Sequence, residues 1–293
     1  MRTDTLRALT IEPRDHPRGV AHLAAASGLV CAFGRAYVVC DDEHQLAVFD
    51  HAERPGRLHR LLPGDLPADK TERKRRKADF EALLLCGERL VAFGSGSTPQ
   101  RDTGVVLTLD PHGEPTGDTR PFDLSPLYRP LRAALGEINI EGAFLLGDEL
   151  VLLHRGGQGQ SRNAVVRYGR AQLLAVIDGR RGATQAPRIT PFDLGQVNGV
   201  PLGFTDGAAL SNGAWVFCAA AEDTADSYAD GPCAGSVVGL VDARGRLVVR
   251  RELATLHKPE GIAARGVAGR IELCLVTDAD DPARCAELLR ASL

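Results

Sequence analysis

The sequence predicts an all-β fold, a five-bladed β-propeller whose ring is closed by an N-terminal strand pairing in the C-terminal blade. Three repeated phrases predict it. First, a small acidic or polar residue followed by Gly or Ala opens a short apolar run at Ser27-Gly28, Glu81-Ala82, Glu141-Gly142, Asp206-Gly207 and Glu260-Gly261. The spacing is about 60 residues, a period typical of propellers and solenoids. Second, an apolar residue, an Asp and a nearby Gly recur at Leu109-Asp110…Gly113, Ile177-Asp178…Gly182 and Val241-Asp242…Gly245, with a looser copy at Phe49-Asp50…Gly56. These read as hairpin turns, where Asp bonds to local backbone and Gly supplies positive φ. Third, Pro121-Phe122-Asp123-Leu124 returns as Pro191-Phe192-Asp193-Leu194.

Each repeat divides into strands A to D. The first has A at Gly28 to Ala32, B at Tyr37 to Cys40, C at Leu46 to Phe49 and D at Leu58 to Leu62. The second has A at Phe80 to Cys86, B at Arg89 to Phe93, C at Val105 to Leu109 and D around Arg120 to Leu124. The third has A at Ile140 to Leu146, B at Leu150 to His154, C at Gln172 to Ile177 and D near Ile189 to Leu194. The fourth has A near Asp206 to Leu210, B at Trp215 to Ala219, C at Ser236 to Val241 and D at Leu247 to Leu253. The B strands Leu90-Val91-Ala92-Phe93 and Leu150-Val151-Leu152-Leu153 are apolar on consecutive residues, so both their faces are covered. Trp215 falls in a B strand and reads as core.

The fifth repeat has A at Gly261 to Ala264, B at Ile271 to Val276 and C at Cys285 to Leu289, but no D. The alternating run Leu6 to Ile11 is expected to supply it, which removes two exposed sheet edges. The blades are then 20–62, 78–124, 138–194, 203–253 and 258–293 plus 5–12, in a single domain. A β-sandwich does not explain the period.

Composition sets outer bounds. The chain has 293 residues, 44% of them hydrophobic, and a net charge of −3. Nothing in that balance calls for nucleic acid or a membrane. The seven Cys contain no CxxC pair and lie mostly in apolar runs, as small buried hydrophobes in a reducing compartment. The N-terminus lacks the apolar segment of a signal peptide, and no run approaches ~18 apolar residues. A cytoplasmic monomer is expected.

Strand A lines the channel of a propeller, so Glu81, Glu141, Asp206 and Glu260 are expected to converge at one mouth. At ~6–8 Å and an effective dielectric of ~20, each pair of facing carboxylates costs roughly 2–3 kcal/mol. They must share protons, pair with bases or bind a cation. All-oxygen ligation suits Ca²⁺ or Mg²⁺. Equally, an acid at a strand start can accept backbone N–H bonds and staple one blade to the next. Ser27 breaks the acidic series in the first blade and is counted among the ligand contacts.

The same face collects the B-to-C loops: Gly94 to Thr98 with Arg101, Arg155 to Arg162, Glu222 to Asp226, and Asp278 to Asp281. Gly/Ser loops can offer N–H groups to an anion, and Arg101, Arg155 and Arg162 can fork to phosphate or carboxylate. His154, His257 and Lys258 lie at strand ends near this mouth, as bases or anion contacts. The run Lys70 to Lys77, in a D-to-A connection, reads either as a solvated stretch or as a basic lip for an anionic substrate. There is no GxSxG, HExxH, P-loop, GxGxxG or Cys/His zinc spacing, which argues against triad hydrolases, zincins and nucleotide folds.

The phrases Ile140-Glu141-Gly142 and Pro259-Glu260-Gly261-Ile262 resemble the "EG" signature of phytase-like and SdiA-regulated propeller proteins. The resemblance implies a propeller with calcium at the channel. It carries over no catalytic residues. Two functions follow: a divalent-cation-dependent hydrolase of a small anionic ester such as a phosphoester, or a non-catalytic propeller that binds a small ligand or a protein on the same face.

Overall fold

A computed structural model describes residues 1–50, 53–156, 162–180, 185–222, 233–254 and 257–293. Strand β1 (Asp4–Ala8) is set aside for the last blade. Blade one is β2 (Ala26–Ala32), β3 (Arg35–Cys40), β4 (Gln45–Asp50) and β5 (Arg57–Arg60). Helix α1 (Lys70–Arg76) leads to blade two: β6 (Phe80–Cys86), β7 (Arg89–Gly94), β8 (Thr103–Leu109) and β9 (Pro115–Asp123). Helix α2 (Ser125–Leu135) leads to blade three: β10 (Ile140–Leu146), β11 (Glu149–His154), β12 (Ala164–Gly169), helix α3 (Arg170–Ile177) and β13 (Arg188–Pro191). Blade four is β14 (Gln196–Val197), β15 (Val200–Ala209), β16 (Trp215–Glu222), β17 (Cys233–Val241) and β18 (Leu247–Glu252). Blade five is β19 (Lys258–Val267), β20 (Arg270–Asp278) and β21 (Glu287–Ser292), completed by β1.

The five sheets are a five-bladed propeller, and the N-terminal strand closes the ring. β1 pairs antiparallel with β21, with Asp4 opposite Arg290 and Ala8 opposite Glu287. It begins two residues before the expected run and stops short of Ile11, which bridges to Gly56 of blade one instead.

Five apolar cores fill the five seams. In β7, Val91 and Phe93 face blade three while Leu90 and Ala92 face blade one. In β11, Leu150 and Leu152 face blade two while Val151 and Leu153 face blade four. Successive residues of a strand point to opposite faces, so an uninterrupted apolar run feeds two cores at once. Each fully buried Leu or Val contributes about 1.5–3 kcal/mol. Trp215 lies in the seam between blades three and four with Phe144, Phe192, Phe204 and Phe217, its ring centroid 5.5 Å from that of Phe144. The literal repeat is structural. Phe122 and Leu124 drop into one seam, Phe192 and Leu194 into the next, and Asp123 and Asp193 each accept a backbone N–H two residues on, at 2.8 Å.

Two of the hairpin turns are as read. Asp110 accepts the N–H groups of His112 and Glu114, and Asp242 those of Arg244 and Arg246, with Gly113 and Gly245 at positive φ. The third is not. Gln172 to Ile177 is helix α3 rather than the C strand, and Asp178 is its C-terminal cap. Its buried residues Leu173, Val176 and Ile177 repeat at helical spacing, a period that a short apolar run conceals. The C strand is β12, immediately before it. Gly182 lies outside the described residues.

Lys70 to Lys77 is also more than a charge run. Asp69 caps α1 by accepting the Glu72 N–H at 2.8 Å. Lys70, Lys74, Arg75 and Arg76 are exposed on the helix, but Lys77 turns back under it.

Candidate functional site at the channel mouth

Every A strand carries a register shift at its mouth end: between Ala26 and Leu29, Phe80 and Ala82, Ile140 and Gly142, Phe204 and Asp206, and Pro259 and Gly261. A bulge inserts one unpaired residue and re-aims its side chain. The inserted residues are Glu81, Glu141, Thr205 and Glu260, with Ser27 in the matching place. The fourth member of the series is therefore Thr205, and Asp206 stands where the small residue stands in the other blades. The two readings differ by one residue, which in a strand exchanges one face for the other.

The small residue has a steric cause. A Cβ on Gly261 would lie 2.5 Å from the Ser27 carbonyl oxygen, and one on Gly28 would lie 2.7 Å from the Leu83 nitrogen. At Gly28 and Gly261 the A strands approach too closely for any side chain.

Asp206 does a different job from the glutamates. It is buried, and its Oδ2 accepts the Ile262 N–H at 2.9 Å, from blade four to blade five. Thr205 Oγ1 donates to the Pro259 carbonyl at 2.6 Å across the same seam. This is the stapling arrangement. Burial, above all, pushes the Asp206 carboxyl well above its ordinary range.

Glu81, Glu141 and Glu260 stand at matching bulges of three A strands, and neighbouring carboxylates add to the effect of burial at each. Burial, then Asp79, Glu141 and Asp41, raise Glu81 well above the usual range. Burial pushes Glu141 up to about 8, with Arg155 opposing and Glu260 and Glu222 reinforcing. Burial likewise holds Glu260 at about 7, against Lys258 and Arg155.

Two ionic groups flank these glutamates. On the first side, Lys77 Nζ is paired with Asp41 and stands 2.7 Å from Asp79 Oδ1, while Arg101 Nη1 lies 2.8 Å from Asp79 Oδ2. Ser95 Oγ donates to Asp79 at 2.5 Å and Arg101 donates to Ser97 at 2.6 Å, so the Gly/Ser loop is tied down by the arginine. Asp41, Asp79 and Glu81 each bring an oxygen within 4.8 Å of the others. On the second side, Arg155 lies 2.8 Å from Glu222 and 3.7 Å from Glu141, and Lys258 lies 2.8 Å from Glu222, 3.1 Å from Glu260 and 2.9 Å from Asp280. Burial would raise Glu222, but Arg155 and Lys258 overcome it and hold its carboxyl below the usual range. Burial pushes Asp278 up to about 8, despite Lys258. Asp79 and Asp280 have φ of 60° and 53°, the left-handed region that Asp tolerates better than most residues.

The remaining sequence candidates spread around this centre. His154 is buried under the mouth; its Nδ1 accepts the Asn139 N–H at 3.1 Å, and burial lowers it to about 4, so it is neutral. Asn139 Nδ2 donates to Glu141 at 2.5 Å. Ser27 is buried against blade five. His257 faces Glu287, with Nδ1 3.7 Å from Oε2. Arg162 is exposed at the end of its loop. Residues 157–161 of that loop, and Asp223 to Asp226 of the fourth B-to-C loop, lie outside the described residues.

Asp41, Asp79, Asn139 and the inward turn of Lys77 were not singled out from the sequence. A signal was present: Asp79, Asn139 and Lys258 each stand two residues before a bulged glutamate, where alternation returns a side chain to the same general direction.

Residues 22–293 match a family described as a family of unknown function, DUF6929. No curated protein matches the chain. Among solved structures, the chain is similar to the subtype N10 neuraminidase-like protein of A/little yellow-shouldered bat/Guatemala, at 9% identity over 94% of this chain and 81% of that one, with a TM-score of 0.34. No helix among the described residues is long and apolar enough to cross a membrane.

Proposed function

We propose that this chain, which belongs to the DUF6929 family of unknown function, is a ligand-binding propeller whose mouth takes a small cation or a small molecule bearing one. One observation carries this reading. Burial holds Glu81, Glu141 and Glu260 of the channel wall above the usual carboxylate range, with Glu141 adding to the effect at Glu81 and Glu260 adding to it at Glu141, while Lys77, Arg155 and Lys258 are already engaged by further carboxylates. Among the described residues, the acids of the mouth outnumber its bases. A cation entering from solvent replaces protons or repulsion with attraction, and the low local dielectric strengthens that exchange.

The test is calorimetric titration of the full chain at pH 8.5 with calcium, magnesium and putrescine in turn. Saturable binding of at least one, weakened at least tenfold by Glu81→Gln, supports the reading. No binding heat and no change in melting temperature with any of the three rejects it, because a ligand bound only by the folded state must stabilise it.

A second reading, divalent-cation-dependent hydrolysis of a small phosphoester, draws on the Asp41, Asp79 and Glu81 oxygens. Three hard oxygen donors suit Ca²⁺ or Mg²⁺, which would polarise the ester and activate water. The resemblance to phytase-like propellers points the same way. The Lys77 ammonium already spans two of the three donors, so an ion must displace it. That competition places the binding reading first. Release of p-nitrophenol from p-nitrophenyl phosphate, dependent on calcium or magnesium and abolished by Asp79→Asn, would reverse the order. The unbridged cysteines support the cytoplasm as the compartment.

A further inference from the structure

Blade five meets blade one at the seam where the ring closes, and a cysteine stands on each side of it. Cys31 is on β2 and Cys274 on β20. Their level can be derived from the strand registers. A Cβ on Gly261 of β19 would lie 2.9 Å from Leu29 Cβ of β2, so these two residues are side by side. Both strands run from the mouth towards the opposite end, so two residues further on Cys31 is level with Ala263. Ala263 is the partner of Cys274 in the β19–β20 register, just as Gly261 is the partner of Val276. Leu29 and Val276 both belong to the core of this seam, and Cys274 packs against it. Residues two apart in a strand share a face. Cys31 therefore points across the seam, as Leu29 does, towards the strand that carries Cys274.

The two thiols interact. Each is the largest influence on the other's proton affinity: Cys274 raises Cys31, and Cys31 lowers Cys274 to about 7, with help from Arg265 and Arg290. Cys31 is exposed and Cys274 half-buried, so reagents can reach the pair. The other cysteines differ. Cys40, Cys86 and Cys218 are buried, and burial raises Cys233 and Cys285. Packed sheets usually lie about 10 Å apart, too far for a disulfide, whose Cα atoms sit within about 7 Å. Near the channel the blades converge, as the Gly261–Leu29 approach shows, and that is where this pair lies.

We propose that Cys31 and Cys274 are a peroxide-oxidised pair, forming a disulfide that locks the last blade to the first. The Cys274 thiolate attacks one peroxide oxygen and the O–O bond breaks. The sulfur is oxidised to sulfenic acid, and the second oxygen leaves as hydroxide, which is protonated to water. The Cys31 thiol loses its proton and attacks the sulfenic sulfur; the S–S bond forms and the S–O bond breaks, releasing a second water. Two thiols and one hydrogen peroxide give one disulfide and two waters. Cys274 is the attacking sulfur because the thiolate is the nucleophile and only a thiol with pKa near ambient pH supplies it in quantity. The bond encloses nearly the whole ring, so it constrains the unfolded chain strongly.

The experiment treats the full chain with hydrogen peroxide at pH 7.5, blocks remaining thiols with N-ethylmaleimide and maps tryptic peptides without reduction. Peptides 19–35 and 271–284 each contain a single cysteine of the pair. The expected result is one linked species of these two peptides, monomeric on a non-reducing gel and lost on dithiothreitol treatment. The oxidised protein should melt roughly 5 °C higher than the reduced protein, a shift absent from Cys31→Ser, whose exposed position makes it the variant least able to disturb folding. The proposal is overturned if the two peptides stay unlinked while Cys274 advances to sulfinic acid, if both remain blocked by N-ethylmaleimide, or if the link joins two chains.

Discussion

Glu141 is held by a balance that pH can tip. Its carboxyl titrates near 8 and that of Glu260 near 7, both above the ~4.3 of an unfolded glutamate. The folded state therefore binds more protons than the unfolded state between about pH 4.3 and 8. Stability from these groups is fully present below that window and is lost as pH rises through 7 and 8. The melting temperature of the wild type should fall from pH 6 to pH 9, and Glu141→Gln should flatten that fall while keeping an oxygen for Asn139. An unchanged slope in the variant would mean that Glu141 does not titrate in this window. Lys77→Gln should cost about 2 kcal/mol in urea melts, because it leaves Asp41 and Asp79 without their shared cation. Gly261→Ala should cost about 1–3 kcal/mol, since its Cβ would meet the Ser27 carbonyl oxygen at 2.5 Å. At this scale the sequence showed Glu81, Glu141 and Glu260 as a series but placed Asp206 with them. A bulge adds one residue without any mark in composition, so the phase of a short motif is lost at the position where the chain irregularity occurs.

Helices and strands were unequally legible. The B strands were plain because both faces are apolar, which only a strand between two sheets requires. β12 was missed because Ala164 to Gly169 follows a Gly/Gln-rich loop and precedes the stronger apolar run of α3, which then took its place. α2 left a mark that can be read afterwards: Pro in the first turn, then Leu127, Tyr128 and Leu131 on one face. α1 shows why a charge run resists interpretation, for its exposed residues and Lys77 belong to the same string. Replacing Lys70, Arg75 and Arg76 with Gln should leave stability within about 1 kcal/mol, in contrast to Lys77→Gln. Equal losses from the two variants would show that the helix, rather than the inward lysine, holds the mouth together. Deleting residues up to Ala8 bares the outer edge of β21 and should lower the melting temperature and promote aggregation; a deletion mutant as stable and as soluble as the full chain would contradict the role assigned to β1.

Across the whole molecule, stability is divided among five seams of similar construction, and the ring gives each blade two neighbours. The period of the repeats was enough to count the blades, because each one must span the same radius. The chemistry of the mouth was less legible, since it depends on which side chains from different blades meet, and that is a property of the closed ring. Closure has a further consequence for how the chain is made. β1 leaves the ribosome well before its partner β21, and Asp4 cannot meet Arg290 until everything between them has been synthesised. At ordinary elongation rates β1 waits on the order of tens of seconds. During that interval the preceding blades can form in order behind it, while β1 stays unpaired. The final blade is thus a clasp fastened late by two strands far apart in the sequence, and a nascent chain halted before β21 should remain an open arc.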